Sequence, residues 1–470
     1  MQPPTTSIWL HDPNETASGK PGTLHKCPQS RNLSTALIPD RDLQKSTVRQ
    51  SIWPLRDDAL QALAMNTPQE QSSARTARFQ RKRDAIIGIA TEVMNEVGIG
   101  GMTFSDVADR IGLSAPSVTY YFKKKENLAE AVLDRSLDEL HSHALSAASF
   151  ATPDTRVEQF LRLELKSLAR AHRGEAARRA HIGELRALEE PMGSRLNRRY
   201  VEIFRLVRGF FGTDSSESER AANIVKAHLL LDNIYAMPNW LRFYSSGDFD
   251  RVRSRMMELF RNGLMPSGGQ WNSHQLSCSD LEPAAEKGQD AFLRSATKLI
   301  NARGYRGASV DRIASDLQVT KGSFYHHNEA KDDLVLQCFD RTYLRITHVQ
   351  RAVEKEDWTC ADKLRSAMHK LLEIQLNGEE PFLRTASLQL LPLEIKGGAL
   401  ERSARITRRF TNLVIDGITE GSFRPVDPLL AGQALTVAIN TARDLRHWSK
   451  PEFDVSAIPL IESALGTGIV

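Results

Sequence analysis

Cysteine is scarce in this sequence. The four present, Cys27, Cys278, Cys338 and Cys360, show neither CxxC spacing nor a regular framework, which excludes a disulfide-stapled domain and a zinc ribbon and fits a reducing cytosol. Long hydrophobic runs are missing too. No stretch approaches the roughly eighteen apolar residues that a membrane-spanning helix needs, and Pro3, Pro4 and Asp12 stand where a signal peptide needs an apolar centre. The expectation is a soluble, cytoplasmic protein with no membrane partner. Strand-like alternation is absent, and so are a Ser-His-Asp arrangement, a nucleophile elbow, a Gly-rich phosphate loop and a metal-ligand motif. These absences argue for an all-α protein that is not an enzyme and holds no metal or cofactor. The formal net charge of +4 permits nucleic acid as a partner without demanding it.

What the sequence does contain is a repeat. Residues 103–122, TFSDVADRIGLSAPSVTYYF, hold two short helical patterns that meet at a tight turn, the spacing of a helix-turn-helix. Thr103, followed three residues later by Asp106, reads as a capping box, and Val107, Ala108 and Ile111 share one helical face. Gly112 ends that helix, Leu113 turns to the core, and Ser114 is placed to cap a second helix whose first turn tolerates Pro116. The pattern returns 206 residues downstream, without a gap, as 309–328: SVDRIASDLQVTKGSFYHHN. Asp84 matches Asp290 at this offset, Ala90 matches Ala296, Gly98 matches Gly304, Ser117 matches Ser323 and Lys125 matches Lys331.

At 470 residues the chain exceeds one core, and the period divides it. The expected order is a disordered tail over 1–74, a helix-turn-helix domain over 80–140, a helical domain over 141–265, a linker over 266–285, a second helix-turn-helix domain over 286–346 and a second helical domain over 347–470. Met65 stands just before a segment that resembles a normal leader into the first module, so a long tail and a start at Met65 both fit the sequence. Apolar spacing predicts helices over 83–97, 125–145, 156–170, 176–188, 195–211, 217–240 and 249–264 in the first half. In the second half it predicts them over 291–302, 331–355, 360–377, around 382–391, and over 398–420, 428–448 and 456–465.

Residues 83–98, RDAIIGIATEVMNEVG, followed by TFSDVADRIGLSAPSVTYYFKKKENL, resemble the amino-terminal DNA-binding module of the TetR family of bacterial transcriptional regulators. Residues 289–334, QDAFLRSATKLINARGYRGASVDRIASDLQVTKGSFYHHNEAKDDL, resemble a second copy. The likeness is specific over about fifty residues in each half and loose elsewhere. The first copy departs from the family with Thr119, where a Tyr is usual in the recognition helix, and the second with Asn328, where an aromatic or apolar residue is usual.

A helix-turn-helix sets its second helix in the major groove, with the first turn towards base edges and flanking polar groups on phosphates. On that geometry Ala115, Ser117 and Thr119 face bases, while Tyr120, Tyr121 and Lys125 face the backbone; Thr103 and Ser114 stand at the two helix starts. The second copy offers Ser309 and Thr320 at its helix starts and Lys321, Ser323, Tyr325, His326, His327 and Lys331 along the reading helix. His326 and His327 are adjacent and point apart on a helix, so they do not form a metal pair; His141 and His143 read as surface residues. Basic residues outnumber acidic ones over 75–125, whereas Glu282 and Glu286 reduce the excess in the second copy, which makes the first module the stronger candidate for phosphate contact.

The resemblance implies a sequence-specific transcriptional regulator, a repressor released by a small-molecule effector, with double-stranded operator DNA as partner and association with the nucleoid when bound. The alternative is a helical interaction protein in which one or both modules no longer bind DNA. Phe160, Phe204, Phe210, Phe211, Tyr235, Trp240, Phe243 and Tyr244 could line an effector pocket or serve as core and interface. Family members pair through their carboxy-terminal helices, which here correspond to 217–240 with 249–264 and 428–448 with 456–465. The two halves are therefore expected to form an internal pseudo-dimer, with an ordinary homodimer as the other possibility.

Overall fold

Helix α1, Pro68–Gly101, buries Ile86, Ile87, Ala90, Val93 and Met94 at helical spacing and breaks at Gly98, whose φ of 69° suits glycine. Helices α2, Phe104–Ile111, and α3, Ala115–Tyr121, pack against each other, and α4, Lys125–Ala148, follows. The first half continues with α5, Pro153–His172, α6, Met192–Arg208, α7, Glu217–Leu241, and α8, Phe249–Asn262. The second half holds α9, Lys287–Gly307, α10, Val310–Asp316, α11, Lys331–Glu354, α12, Cys360–Asn377, α13, Leu393–Glu420, α14, Pro428–Thr441, and α15, Ile458–Thr467. The computed structural model describes residues 68–182, 185, 188, 190–276, 287–307, 309–316, 331–377, 381–384, 393–448 and 453–470. Among them there is no strand, and the protein is all-α. No helix among them is long and apolar enough to cross a membrane. The expected tail lies, up to residue 67, outside the described residues.

Two predicted helices are corrected over their described residues. The described part of 176–188 is non-helical up to residue 181, with only isolated 3-10 residues beyond. Residues 381–384, at the start of the expected 382–391 helix, are also non-helical. The cause is the same in both places. Asn95 on α1 donates to the Arg179 carbonyl (2.8 Å) and accepts from the His181 N–H (3.0 Å), while Ser136 on α4 accepts from the Ala180 N–H (3.0 Å). In the second half Asn301 donates to the Phe382 carbonyl (2.8 Å) and accepts from the Arg384 N–H (3.0 Å), while Thr342 accepts from the Leu383 N–H (2.9 Å). Asn301 and Thr342 stand 206 residues after Asn95 and Ser136. Side chains from distant helices thus supply the hydrogen bonds that a local helix would otherwise make.

Beneath the first segment lies a buried polar cluster. Glu164 on α5 accepts from Arg179 Nη2 (2.5 Å) and meets His143 Nδ1 (2.8 Å). Burial pushes the Glu164 carboxyl up, but Arg179 and His143 outweigh it and hold it below the usual carboxylate range. His143 is therefore part of an interior network, not the surface residue its position suggested.

The halves meet through α7 and α8 of the first and α14 and α15 of the second. Ile224, Ala227, Leu231 and Ile234 on one side, and Ala431, Leu435, Ala438 and Ile439 on the other, are buried. His228 Nε2 lies 3.0 Å from the Thr441 carbonyl, and Arg255 Nη1 lies 2.5 Å from Asp427 Oδ2. Phe204 of α6 lies face to face with Trp448, ring centroids 3.5 Å apart. Backbone hydrogen bonds join Leu264 N–H to the Leu465 carbonyl (3.1 Å), Met265 N–H to the Gly466 carbonyl (2.9 Å) and Ile469 N–H to the Phe260 carbonyl (2.7 Å). The described part of the expected linker is packed down rather than extended. Trp271 and Leu276 are buried, Asn272 N–H donates to Asp362, and His274 stacks on Trp358 at 4.3 Å.

Candidate nucleic-acid interface

The first helix-turn-helix is built from its caps inward. Thr103 Oγ1 accepts from the Asp106 N–H (3.1 Å), and Asp106 Oδ2 accepts from the Thr103 N–H (3.1 Å), closing the capping box. Gly112 adopts φ 69° and ψ 35°, the left-handed cap that lets the chain turn, and the Leu113 N–H returns to the Ala108 carbonyl at 2.9 Å. Val107, Ala108, Val118 and Phe122 are buried, so α3 is anchored by Val118 midway along and by Phe122 at its end. Arg83 of α1 lies over the Phe122 ring at 5.1 Å, which fastens the brace helix to the end of α3.

That packing decides which side chains face out. Tyr120 is 64% exposed and Thr119 is exposed, while Ala115, Ser117 and Tyr121 are half-buried. Ser114 heads α3 without a side-chain cap; its Oγ lies 2.9 Å from Ser117 Oγ instead. The Thr119 hydroxyl donates back to the Ala115 carbonyl at 3.1 Å. Lys125 Nζ donates to the Gly100 carbonyl at 3.2 Å, tying the start of α4 to the end of α1. Lys123 and Lys124, immediately before it, are exposed.

Sequence reasoning missed Phe79. Its ring lies against that of Tyr121 at 4.8 Å, tilted by 34°, and meets Tyr120 edge-on at 6.0 Å, so α1 buttresses both tyrosines of α3. The only sequence signal was a lone aromatic in the basic run 78–83, where Arg78 and Arg81 are exposed on either side of it. Together Tyr120, Ser117, Lys123, Lys124, Arg78 and Arg81 offer hydroxyl and cationic donors, the chemistry that holds phosphates and base edges.

In the second copy Ser309 accepts from the Arg312 N–H at 3.4 Å and so starts α10 as Thr103 starts α2. Lys331 opens α11. Thr320, Lys321, Ser323, Tyr325, His326 and His327 lie outside the described residues. Of the aromatics that could line an effector pocket, Phe160, Phe204, Phe210 and Trp240 are buried. Phe160 and Phe210 meet edge-to-face at 5.5 Å with both rings buried, whereas Phe243 is 75% exposed. No cluster of metal-ligating side chains occurs among the described residues.

A family model described as bacterial regulatory proteins, tetR family, matches residues 86–132 and 292–338. The class A tetracycline repressor protein of transposon 1721 from Escherichia coli is 30% identical over 96 residues, 19% of this chain and 44% of that protein. The HTH-type transcriptional repressor DhaR of Mycobacterium sp. (strain GP1) is 28% identical over 144 residues, 30% of this chain and 67% of that one. Among solved structures, the regulator PfmR of Thermus thermophilus is 19% identical with a TM-score of 0.32, covering 38% of this chain and 97% of that one. The chain spans between 29% and 44% of the length of the tetracycline repressors of classes A, C and D.

Proposed function

Because the chain carries two helix-turn-helix modules of the bacterial TetR family in tandem, we propose that it is a sequence-specific DNA-binding transcriptional regulator, a repressor that a small-molecule effector releases. The observation that supports this best is the first module. Its capping box, left-handed Gly112 and buried Val118 set α3 with Tyr120 outward, beside the exposed Lys123 and Lys124. The α7, α8, α14 and α15 contact supports an internal pseudo-dimer in which one chain presents two unlike reading helices, a geometry suited to an asymmetric operator. Effector release then requires, by linkage, that DNA weaken effector binding by the same factor that effector weakens DNA binding.

The interaction-protein alternative keeps some support, because the Thr119 hydroxyl and the Lys125 ammonium are both engaged by backbone carbonyls. Fluorescence anisotropy over a salt series, on DNA recovered from the sites the intact protein occupies in cells, separates the two. Regulation through phosphate contacts gives an affinity that falls steeply and log-linearly with salt, whereas a flat or absent response supports the alternative.

A further inference from the structure

A cleft of about 250 Å³ opens between α4, α5 and the clamped segment over 176–179, with no residue of the helix-turn-helix in its lining. Four arginines line it, Arg135, Arg170, Arg178 and Arg179, with Glu139 as the acidic residue among the lining. The charge of Glu139 is already engaged, since it accepts from the Ser167 hydroxyl and lies 3.4 Å from Arg179. Arg179 is further matched by Glu164, and Arg178 reaches Glu92 at 3.9 Å. Arg135 and Arg170 make no ion pair among the described residues. Glu139, Asp84 and Glu92 act on Arg135, and Arg170 acts on Glu175, only through longer-range attraction.

The repeat supplies an internal control. Arg341, which stands 206 residues after Arg135, holds Asp290 with both arms of its guanidinium, at 2.6 and 3.2 Å. The same register gives Arg135 the partner Asp84, yet Asp84 is exposed and accepts from Gln80, while Arg135 donates to Thr91 at 3.1 Å. A half-buried guanidinium without a carboxylate is costly, and burial lowers its pKa. A ligand anion would offset that cost, and the guanidinium fork suits phosphate oxygens.

We propose that this cleft binds the phosphate or pyrophosphate group of a small-molecule ligand, with Arg135 and Arg170 as its principal donors. The position has a consequence for DNA. Arg135 bonds to Thr91 and Asn95 grips Arg179 and His181, so a ligand here touches both α4 and the segment fastened to the brace helix of the first module. A Cβ at Gly88 of that helix would lie 3.9 Å from Arg135 Nη1. The ligand site stands without the regulator reading; only its effect on DNA rests on that reading.

The test is calorimetric titration of the full chain with inorganic pyrophosphate at low salt, without DNA. Wild type binds with a Kd of about 1 mM or tighter, and Arg135→Gln and Arg170→Gln each weaken it about tenfold or more, while Arg220→Gln, an exposed arginine on α7, does not. Arg170 is exposed, so its variant keeps the test valid if Arg135→Gln fails to fold. No binding by wild type, unchanged binding in Arg170→Gln, or equal weakening in all three variants overturns the proposal. Because DNA is absent, a failure of the regulator reading leaves this result untouched.

Discussion

Asn95 and Asn301, 206 residues apart, grip equivalent non-helical segments through the same two hydrogen bonds, a carboxamide donating to one carbonyl and accepting from the N–H two residues on. The repeat therefore extends beyond the helix-turn-helix modules into the way each brace helix is fastened to its own helical domain. Replacing Asn95 with Ala leaves the Arg179 carbonyl and the His181 N–H without these partners. The expected loss is about 1–3 kcal/mol in urea denaturation, with a similar loss for Asn301→Ala. A change within about 0.5 kcal/mol for both would show that the clamps do not matter to stability.

The junction between halves depends on close backbone approach. Gly263 has φ 60°, and a Cβ there would lie 2.3 Å from the Gly466 carbonyl oxygen. Gly263→Ala is expected to destabilise the protein by more than about 1 kcal/mol, against little effect for Gly209→Ala, whose Cβ would meet open space. Equal denaturation midpoints for the two variants would contradict the junction described.

The same junction carries a titrating group. Burial lowers the His228 pKa, but Asp232 on its own helix, Asp444 from the other half and the Thr441 carbonyl outweigh that and raise it. A histidine raised in the folded state stabilises fully below its unfolded pKa, and that contribution is lost as pH rises through the folded value. The denaturation midpoint should therefore fall as pH rises above about 6.5, the ordinary histidine value, and His228→Gln should flatten that slope. An identical pH slope in the variant would remove His228 as its source.

On DNA the first module should dominate. Tyr120→Ala with Lys125→Ala should weaken binding more than His326→Ala with Lys331→Ala, and loss of a phosphate contact should reduce the salt slope by roughly one unit per lysine. Anisotropy titrations of the two double variants decide it, and a costlier second pair would refute the charge argument.

The sequence made the local features legible. Thr103 with Asp106 and Gly112 announce the cap and the turn, because each depends on residues within one or two turns, and the offset of 206 residues announces the two modules because it needs only comparison of the chain with itself. The clamped segments were not legible, since 176–188 has helical spacing while its hydrogen-bond partners Asn95 and Ser136 lie some 40 to 90 residues away. The site was legible in outline only. Tyr120 and Ser117 were read from the motif, but Phe79 behind the tyrosines required the fold, as did the engagement of Lys125 by Gly100. Arg135 and Arg341 are the sharpest case: the same residue at the same register, with an aspartate available to each, pairs in one half and turns to a cleft in the other.

One chain is expected to supply both reading modules in a self-contained unit. Light scattering of the full chain at micromolar concentration tests it most directly. The account predicts one species at the chain mass of 52.6 kDa, and a dominant species at twice that mass would contradict it.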